Sequence, residues 1–113
     1  MSKQKRPFVF VWKDAVRRNQ ELSSTIKLVL VMLLEYVDFN DRSCTPSITM
    51  LAEDCSLCGR SVRRALRGAE KHNFIDIHRR KKGKEDLSSL YKLKLPIEHP
   101  ANPIWSLDDL KIR

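Results

Sequence analysis

The basic residues of this chain are concentrated in one stretch, Gly59 to Lys84. The stretch contains ten lysines and arginines but only two acidic residues, whereas the rest of the chain carries twelve of each sign. The net charge of +8 therefore belongs to this stretch alone. A concentrated positive field attracts polyanions, and the phosphate backbone of nucleic acid is the commonest polyanion. The pattern favours a nucleic-acid partner.

Three cysteines, Cys44, Cys55 and Cys58, are the other residues with distinctive chemistry. An odd number without a secretion signal argues against a disulfide framework. The Cys55-x-x-Cys58 pair is half of a zinc or redox motif, but a structural zinc site usually needs two such pairs. We therefore expect small apolar side chains packed at a tight helix junction, with no metal and no other cofactor.

Enzymatic and membrane functions receive no support from the sequence. We find no glycine-rich phosphate loop, no paired carboxylates in an apolar setting and no nucleophile–base pattern, so we expect a protein that is not an enzyme. The longest apolar run, Leu28 to Leu34, is far shorter than the roughly 18 residues that span a bilayer. No signal peptide is apparent. We expect a cytoplasmic, nucleoid-associated protein with no membrane partner.

The first 21 residues are predicted to form an arm and a short segment that packs on the core. Met1 to Pro7 is polar and basic. Phe8 to Trp12 is apolar, which favours a short strand or an extended segment, and Lys13 to Gln20 has the pattern of a short helix.

The first long helix is predicted from Ser23 or Ser24, both good N-cap residues, to about Val37. It is apolar on nearly all sides, so more than one of its faces must be buried against another element. Two elements could pack on the second face: the segment Phe8 to Trp12, folded back over the helix, or the same helix of a second copy in a homodimer.

Two shorter helices follow a short strand at Cys44-Thr45. Ser47 is predicted to cap the helix Ile48 to Asp54, and a tight turn leads to a third helix from Gly59 to Lys71. The third helix has an inward stripe of small and apolar residues and an outer face rich in arginine. Asn73 is predicted to end it in the left-handed conformation.

The hydrophobic period then changes from helical to alternating. Phe74 to Arg79 and Ser89 to Leu95 are predicted to pair as a β-hairpin across a cationic loop, Arg80 to Leu87. Residues 96–113 form a proline-rich tail, in which Leu107 to Ile112 has the pattern of a short helix.

Several short motifs resemble those of winged helix-turn-helix domains. They are Pro46-Ser47-x-x-x-Leu51-Ala52, Cys58-x-Arg60-Ser61-Val62-x-x-Ala65-Leu66, Phe74-Ile75 and Tyr91-x-Leu93. The group they most resemble is found in bacterial, phage and plasmid replication-initiation proteins and related regulators. The resemblance covers residues 22–95 and implies a mainly α fold: a three-helix core followed by a small β-hairpin, the wing. Two departures are Cys58-Gly59, where that family usually has Ser or Thr, and Asn73, where it usually has Gly.

The resemblance also implies roles for individual residues. The third helix would lie in the major groove of double-stranded DNA, with Arg60 and Arg64 contacting bases and Arg63 and Arg67 contacting phosphates. The start of the second helix would grip a phosphate, and the wing would clamp the adjacent backbone or minor groove. The full set of implied DNA-binding residues is Ser47, Thr49, Arg60, Ser61, Arg63, Arg64, Arg67, Arg79, Arg80, Lys81, Lys82 and Lys84.

Three functions remain open at this point. The first is sequence-specific binding of double-stranded DNA, as a transcriptional regulator or a replication-origin binder. The second is a protein–protein interaction module on the same scaffold, in which the apolar first helix and residues 96–113 contact the partner and the basic face meets an acidic surface. Separately, the sequence allows a homodimer through the apolar first helix or the terminal segments. The third, RNA binding, is weakened because the basic face carries no aromatic residues on which bases could stack.

Overall fold

The computed structural model of the protein describes residues 7–82 and 85–96, with the side chains of residues 7–80 and 88–96. Four helices and a three-stranded antiparallel sheet with strand order β1-β3-β2 make up this part of the chain. The mainly helical architecture with a small hairpin confirms the predicted fold class. In chain order the elements are α1 (Phe8–Arg18), α2 (Ser24–Leu33), β1 (Ser43–Cys44), α3 (Ile48–Cys55), α4 (Gly59–Lys71), β2 (Ile75–Lys82) and β3 (Glu85–Leu93).

Helix α1 corrects the prediction that residues 8–12 are extended. A single helix that ends at Arg18 includes this run and most of the short helix predicted from Lys13 to Gln20. Val9, Trp12 and Val16 are spaced along one helical face, and all three are buried in the core. The aromatic and β-branched residues of the run suit a strand locally, but burying this face favours the helix.

Helix α2 begins where predicted and ends earlier. The Ser23 hydroxyl caps it by accepting a hydrogen bond from the Ile26 amide at 3.2 Å. Regular α-helix stops at Leu33 rather than Val37, because the following residues form a tighter turn with i→i+3 hydrogen bonds. Val29, Leu30 and Leu33 are fully buried, whereas Leu28 and Val31 on the other side stay 36% and 38% exposed.

Helices α3 and α4 meet at a tight turn. Ser56 takes the left-handed conformation there (φ 55°), and the Leu57 amide closes the end of α3 on the Ala52 carbonyl at 3.0 Å. Cys55 is buried at this junction, as predicted, but Cys58 is exposed because it occupies the N-cap position of α4. The α4 bounds match the prediction.

Gly68 determines how closely α4 crosses α2. A Cβ atom at this position would lie 2.7 Å from Cδ1 of Ile26, closer than side-chain carbons approach one another. An alanine at position 68 would therefore require the half-buried Ile26 side chain to rotate away from α4, which the end of a flexible side chain can do. The crossing fixes the direction in which the exposed face of α4 points.

The hairpin begins directly after α4. Asn73 adopts the left-handed conformation (φ 67°), as predicted, and turns the chain into β2. Both strands extend farther toward the hairpin tip than predicted, because main-chain pairing continues beyond the apolar residues to Lys82 and Glu85.

One main-chain carbonyl joins three parts of the fold. The Phe74 oxygen accepts hydrogen bonds from the Trp12 indole N–H at 2.9 Å and from the Lys94 amide at 3.0 Å. Helix α1, the end of α4 and the end of β3 are thereby held together at a buried point. The hairpin is thus positioned relative to α4 by the core itself.

The predictions for the arm up to Arg6 and for the tail beyond Pro96 lie outside the described residues. Within residues 7–82 and 85–96, no helix is both long enough and apolar enough to cross a membrane.

Candidate nucleic-acid interface

Helix α4 has two chemically opposite sides. Val62, Ala65, Leu66 and Ala69 are buried. At 100° per residue, Arg60, Arg64 and Arg67 fall directly opposite this stripe, together with Lys71. All four of these cations are exposed. The helix therefore presents a row of positive charge to solvent over its whole length.

A cleft of about 430 Å³ separates α4 from the hairpin. Arg63 and Arg67 line it from the helix, and Arg79 lines it from β2. The cations of the two elements thus converge on one side of the molecule. The remaining lining residues are Pro46, Ile48, Leu66, Ile77, Ser88, Ser89 and Tyr91.

A β-bulge places the hairpin residues that line the cleft. His78 pairs with Leu90 and Arg80 pairs with Leu87, so two residues of β3, Ser88 and Ser89, lie opposite the single residue Arg79. Bulges bend a strand and redirect its side chains, and they are frequent beside functional sites. Here the bulge brings two hydroxyl groups and a guanidinium group to the same edge of the cleft.

The remaining predicted wing residues divide into three cases. Arg80 is exposed, and its Nε donates a hydrogen bond to the Ser88 carbonyl at 2.8 Å, which fixes its stem across the bulge. Lys81 and Lys82 belong to β2. Lys84 lies outside the described residues.

The predicted hydroxyl residues lie at the starts of α3 and α4. The Ser47 hydroxyl accepts from the Met50 amide at 3.0 Å, so its own hydrogen remains available as a donor. Thr49 is exposed in the first turn of α3. Ser61, half-buried near the start of α4, has its hydroxyl oxygen 3.3 Å from the Cys58 sulfur.

The arginine groups of this surface have no ion-pair partner among the side chains that the structure describes. Arg60, Arg63, Arg64, Arg67 and Arg79 make no ion pair with any carboxylate whose side chain is described. The acid of the β2 strand, Asp76, is instead paired with Lys94 at 2.8 Å. The positive field of the surface is therefore available to an external anion.

Tyr91 lies at the base of the cleft and is 3% exposed. Burial raises the pKa of its phenol, while a hydrogen bond with Ser89 and the positive charges of Arg79 and Arg63 act in the opposite direction.

The three cysteines are free thiols with different environments. Burial raises the pKa of Cys44 to about 12 and also raises the pKa of Cys55. The pKa of Cys58 is lowered, chiefly because the Ser61 hydroxyl hydrogen-bonds its sulfur. In the described part of the chain, no group of three or more His, Cys, Asp or Glu side chains is arranged to hold a metal ion.

Sequence reasoning missed Ser88, Ser89 and the cleft-facing position of Tyr91. The adjacent serines interrupt the apolar alternation of β3, and such an interruption is the signal that a bulge leaves in a sequence. The cation–π contact of Arg42 was also not predicted. Arg42 adopts a left-handed conformation (φ 61°) and places its guanidinium 3.9 Å from the centre of the Phe8 ring.

The comparisons with known proteins agree with this geometry. Residues 20–75 match the model of a protein family described as a helix-turn-helix domain. The match covers α2, β1, α3 and α4 and ends at the first residue of β2. Searches of curated proteins and of solved structures give no match. A helix-turn-helix domain points to DNA as the partner. Residues 20–75, just under half of this chain, are similar to that helix-turn-helix family, and the hairpin β2-β3 follows them in the position of a wing.

Proposed function

We propose that this protein binds double-stranded DNA in a sequence-specific manner, with α4 in the major groove and the hairpin as a basic wing. The observation that carries the proposal is the convergence of arginines from α4 and β2 on one surface around the cleft. A helix in the major groove reads base edges, while flanking cations hold the backbone and fix the register.

The positions of the arginines support separate roles within that interface. Arg60 and Arg64 lie on the outermost line of α4, and Arg60 is close to the N-terminal end, which enters a groove first in domains of this type. We assign both to base contacts. Arg63, Arg67 and Arg79 border the cleft, where the backbone beside the groove would pass, and we assign them to phosphates together with Arg80, Lys81, Lys82 and Lys84. A guanidinium can bind guanine or phosphate through two parallel hydrogen bonds.

The hydroxyl residues complete the interface. The free hydrogen of the Ser47 hydroxyl and the exposed Thr49 hydroxyl lie at the N-terminus of α3, where amide groups and the helix dipole favour an anion. Ser61 lies one residue from Arg60, at the edge of the outward face. We assign Ser47 and Thr49 to a second backbone phosphate and Ser61 to the rim of the groove.

The biological role that fits best is a cytoplasmic, nucleoid-associated transcriptional regulator or replication-origin binder of bacterial, phage or plasmid type, without catalytic activity of its own. Half-sites of a palindromic target would be bound by a homodimer. The exposed side chains of Leu28 and Val31 on α2 are the part of the described surface that we assign to such a contact.

The test begins with selection of bound fragments from random duplex DNA, which should recover a sequence motif. With that motif, Arg64→Gln is expected to weaken cognate binding by about 1–3 kcal/mol and to leave random DNA nearly unaffected. Arg79→Gln is expected to weaken both similarly and to reduce the slope of log K against log salt by about 0.9. Lys13→Gln, which removes a positive charge from α1, is the control.

Two results would contradict the proposal. One is recovery of no motif together with an affinity that does not depend on salt. The other is an equal loss of affinity for cognate and random duplexes in Arg64→Gln, which would mean that α4 contributes only non-specific electrostatic attraction.

A protein-interaction module is the second candidate function. It is favoured by the exposed apolar side chains of Phe10 (47%), Leu28 and Val31, since large apolar groups at a surface are common in interfaces. Under this alternative, no gel shift would appear with any duplex at low salt, and Leu28→Glu with Val31→Glu would abolish partner binding.

A further inference from the structure

We propose that the cleft between α4 and the hairpin is a binding site for a small phosphomonoester that carries a flat apolar group, a nucleotide being the simplest member of this class. We further propose that its occupancy weakens DNA binding; this second statement rests on the function proposed above. The first statement concerns the cleft alone.

The size and floor of the cleft suit a ligand larger than a phosphate ion. Its volume of about 430 Å³ is within the range of about 300–1,000 Å³ that is usual for small-molecule sites. Half-buried Ile48 and Ile77 supply apolar surface inside it, above the buried Leu66 and Tyr91. A passing DNA backbone would contact the charged rim but would leave this apolar surface uncovered.

The charge of the rim suits a dianion. Arg63, Arg67 and Arg79 border one cleft without any described carboxylate beside them, so their mutual repulsion is unrelieved. A phosphomonoester carries close to two negative charges at pH 7, whereas a phosphodiester of DNA carries one. Guanidinium groups bind such oxygens in pairs of parallel hydrogen bonds.

The bulge supplies neutral donors at the same edge. Ser88 and Ser89 both line the cleft opposite Arg79, and the Arg80 bond to the Ser88 carbonyl at 2.8 Å stabilises this geometry. Two serines and three arginines line the cleft together with apolar side chains, so it has groups that can bind a phosphate and groups that can contact a ring.

Competition with DNA follows from the shared residues. Arg63 and Arg67 are assigned to backbone phosphates in the DNA complex, and both would be engaged by a bound ligand. A dianion in the cleft would also reduce the positive field that attracts the duplex. The ligand would therefore act as an antagonist of DNA binding.

Adenosine 5′-monophosphate, inorganic phosphate and adenosine are the probes for this site. In a ¹H–¹⁵N NMR titration of the full chain, we expect the monophosphate to shift the amides of Ile77, Ser88 and Ser89. Its Kd should be at least about tenfold lower than that of either other probe, because only the monophosphate contacts both the arginines of the rim and the apolar side chains of the cleft. Equal binding of monophosphate and inorganic phosphate would overturn the proposal, as would shifts spread over the whole chain.

Two variants separate the cleft from the outer face of α4. Arg79→Gln should raise the Kd for the monophosphate about tenfold or more, whereas Arg60→Gln should leave it unchanged. An unchanged Kd for Arg79→Gln, with the thermal unfolding midpoint intact, would overturn the site. A loss for Arg60→Gln as large as that for Arg79→Gln would also overturn it.

Fluorescence anisotropy with the selected duplex tests the competition. Saturating monophosphate should weaken DNA binding more than sodium sulfate at the same ionic strength, and an equal effect of the two would refute the antagonism. If the wild-type chain binds no duplex but the NMR shifts appear, the proposed function fails and the site remains. If duplex binding is intact and the monophosphate shifts nothing, the site alone fails.

Discussion

Replacing Gly68 by alanine tests whether the α2–α4 crossing is as close as the structure indicates. In an open helix position, alanine in place of glycine stabilises a protein by about 1 kcal/mol. At position 68, however, the new Cβ would lie 2.7 Å from Cδ1 of Ile26. Relieving such an overlap in a packed interface costs about 1–3 kcal/mol. Because Cδ1 is the end of a flexible side chain, we take the lower end of this range, about 1 kcal/mol. This cost and the helix gain nearly cancel, so we expect Gly68→Ala to change the free energy of unfolding by less than about 0.5 kcal/mol.

A double-mutant cycle with Ile26 removes the atom that overlaps with the new Cβ. Ile26→Val deletes Cδ1, and in that background Gly68→Ala should raise the free energy of unfolding by about 1 kcal/mol. The coupling between the two positions would then be about 1 kcal/mol, within the range known for residues in contact. Urea unfolding followed by far-ultraviolet circular dichroism, with unchanged m-values, provides the measurement.

Gly59→Ala is the control on the same helix. Its Cβ would lie 3.4 Å from Cγ2 of Ile48, an ordinary contact, so no loss of stability is expected. If Gly68→Ala instead stabilises the wild-type chain by about 1 kcal/mol, or if the coupling with Ile26→Val vanishes, the close crossing is refuted.

Further predictions concern a buried bond and two exposed hydrogen-bonded groups. Trp12→Phe should lower the free energy of unfolding by about 2–3 kcal/mol in urea titrations, since it removes a buried hydrogen bond and leaves a cavity. Cys58 should react with a disulfide reagent at pH 8 faster than the two buried cysteines, and Ser61→Ala should slow that reaction because the thiol pKa then rises; unaltered kinetics would contradict this. Hydrogen bonds from Ser43 lower the pKa of Asp41 in the folded state. They therefore stabilise the protein at pH values above the pKa that Asp41 has in the unfolded chain, and this stabilisation is lost as the pH falls through the folded-state pKa. Ser43→Ala should consequently destabilise the protein more at pH 7 than at pH 2, and an effect independent of pH would refute the assignment.

The sequence was most informative where packing and local preference agree. Helix α4 could be bounded from its pattern because alanines and branched residues recur at helical spacing against an uninterrupted arginine face. Asn73 could be identified as its end because few residues other than glycine tolerate the left-handed conformation observed there (φ 67°).

Where the two disagree, the prediction failed. Residues 8–12 have strand-forming side chains, and only the tertiary burial of Trp12 with its helical neighbours reveals a helix. The outer half of the hairpin was predicted as a loop because its residues are charged; main-chain pairing needs no apolar side chains. The cleft was not predicted, since it depends on a one-residue offset between β2 and β3 at Arg79, for which the adjacent serines of β3 are the only signal in the sequence.

The Phe74 carbonyl determines how much of the chain is needed for autonomous folding. A fragment trimmed to the family match, residues 20–75, would retain this oxygen but lose both of its donors, Trp12 and Lys94. The same truncation would remove Tyr91, Leu93 and Leu95, each at most 3% exposed in the intact protein. We therefore expect the smallest unit that unfolds cooperatively to extend from Phe8 to Leu95, with segments on both sides of the matched residues.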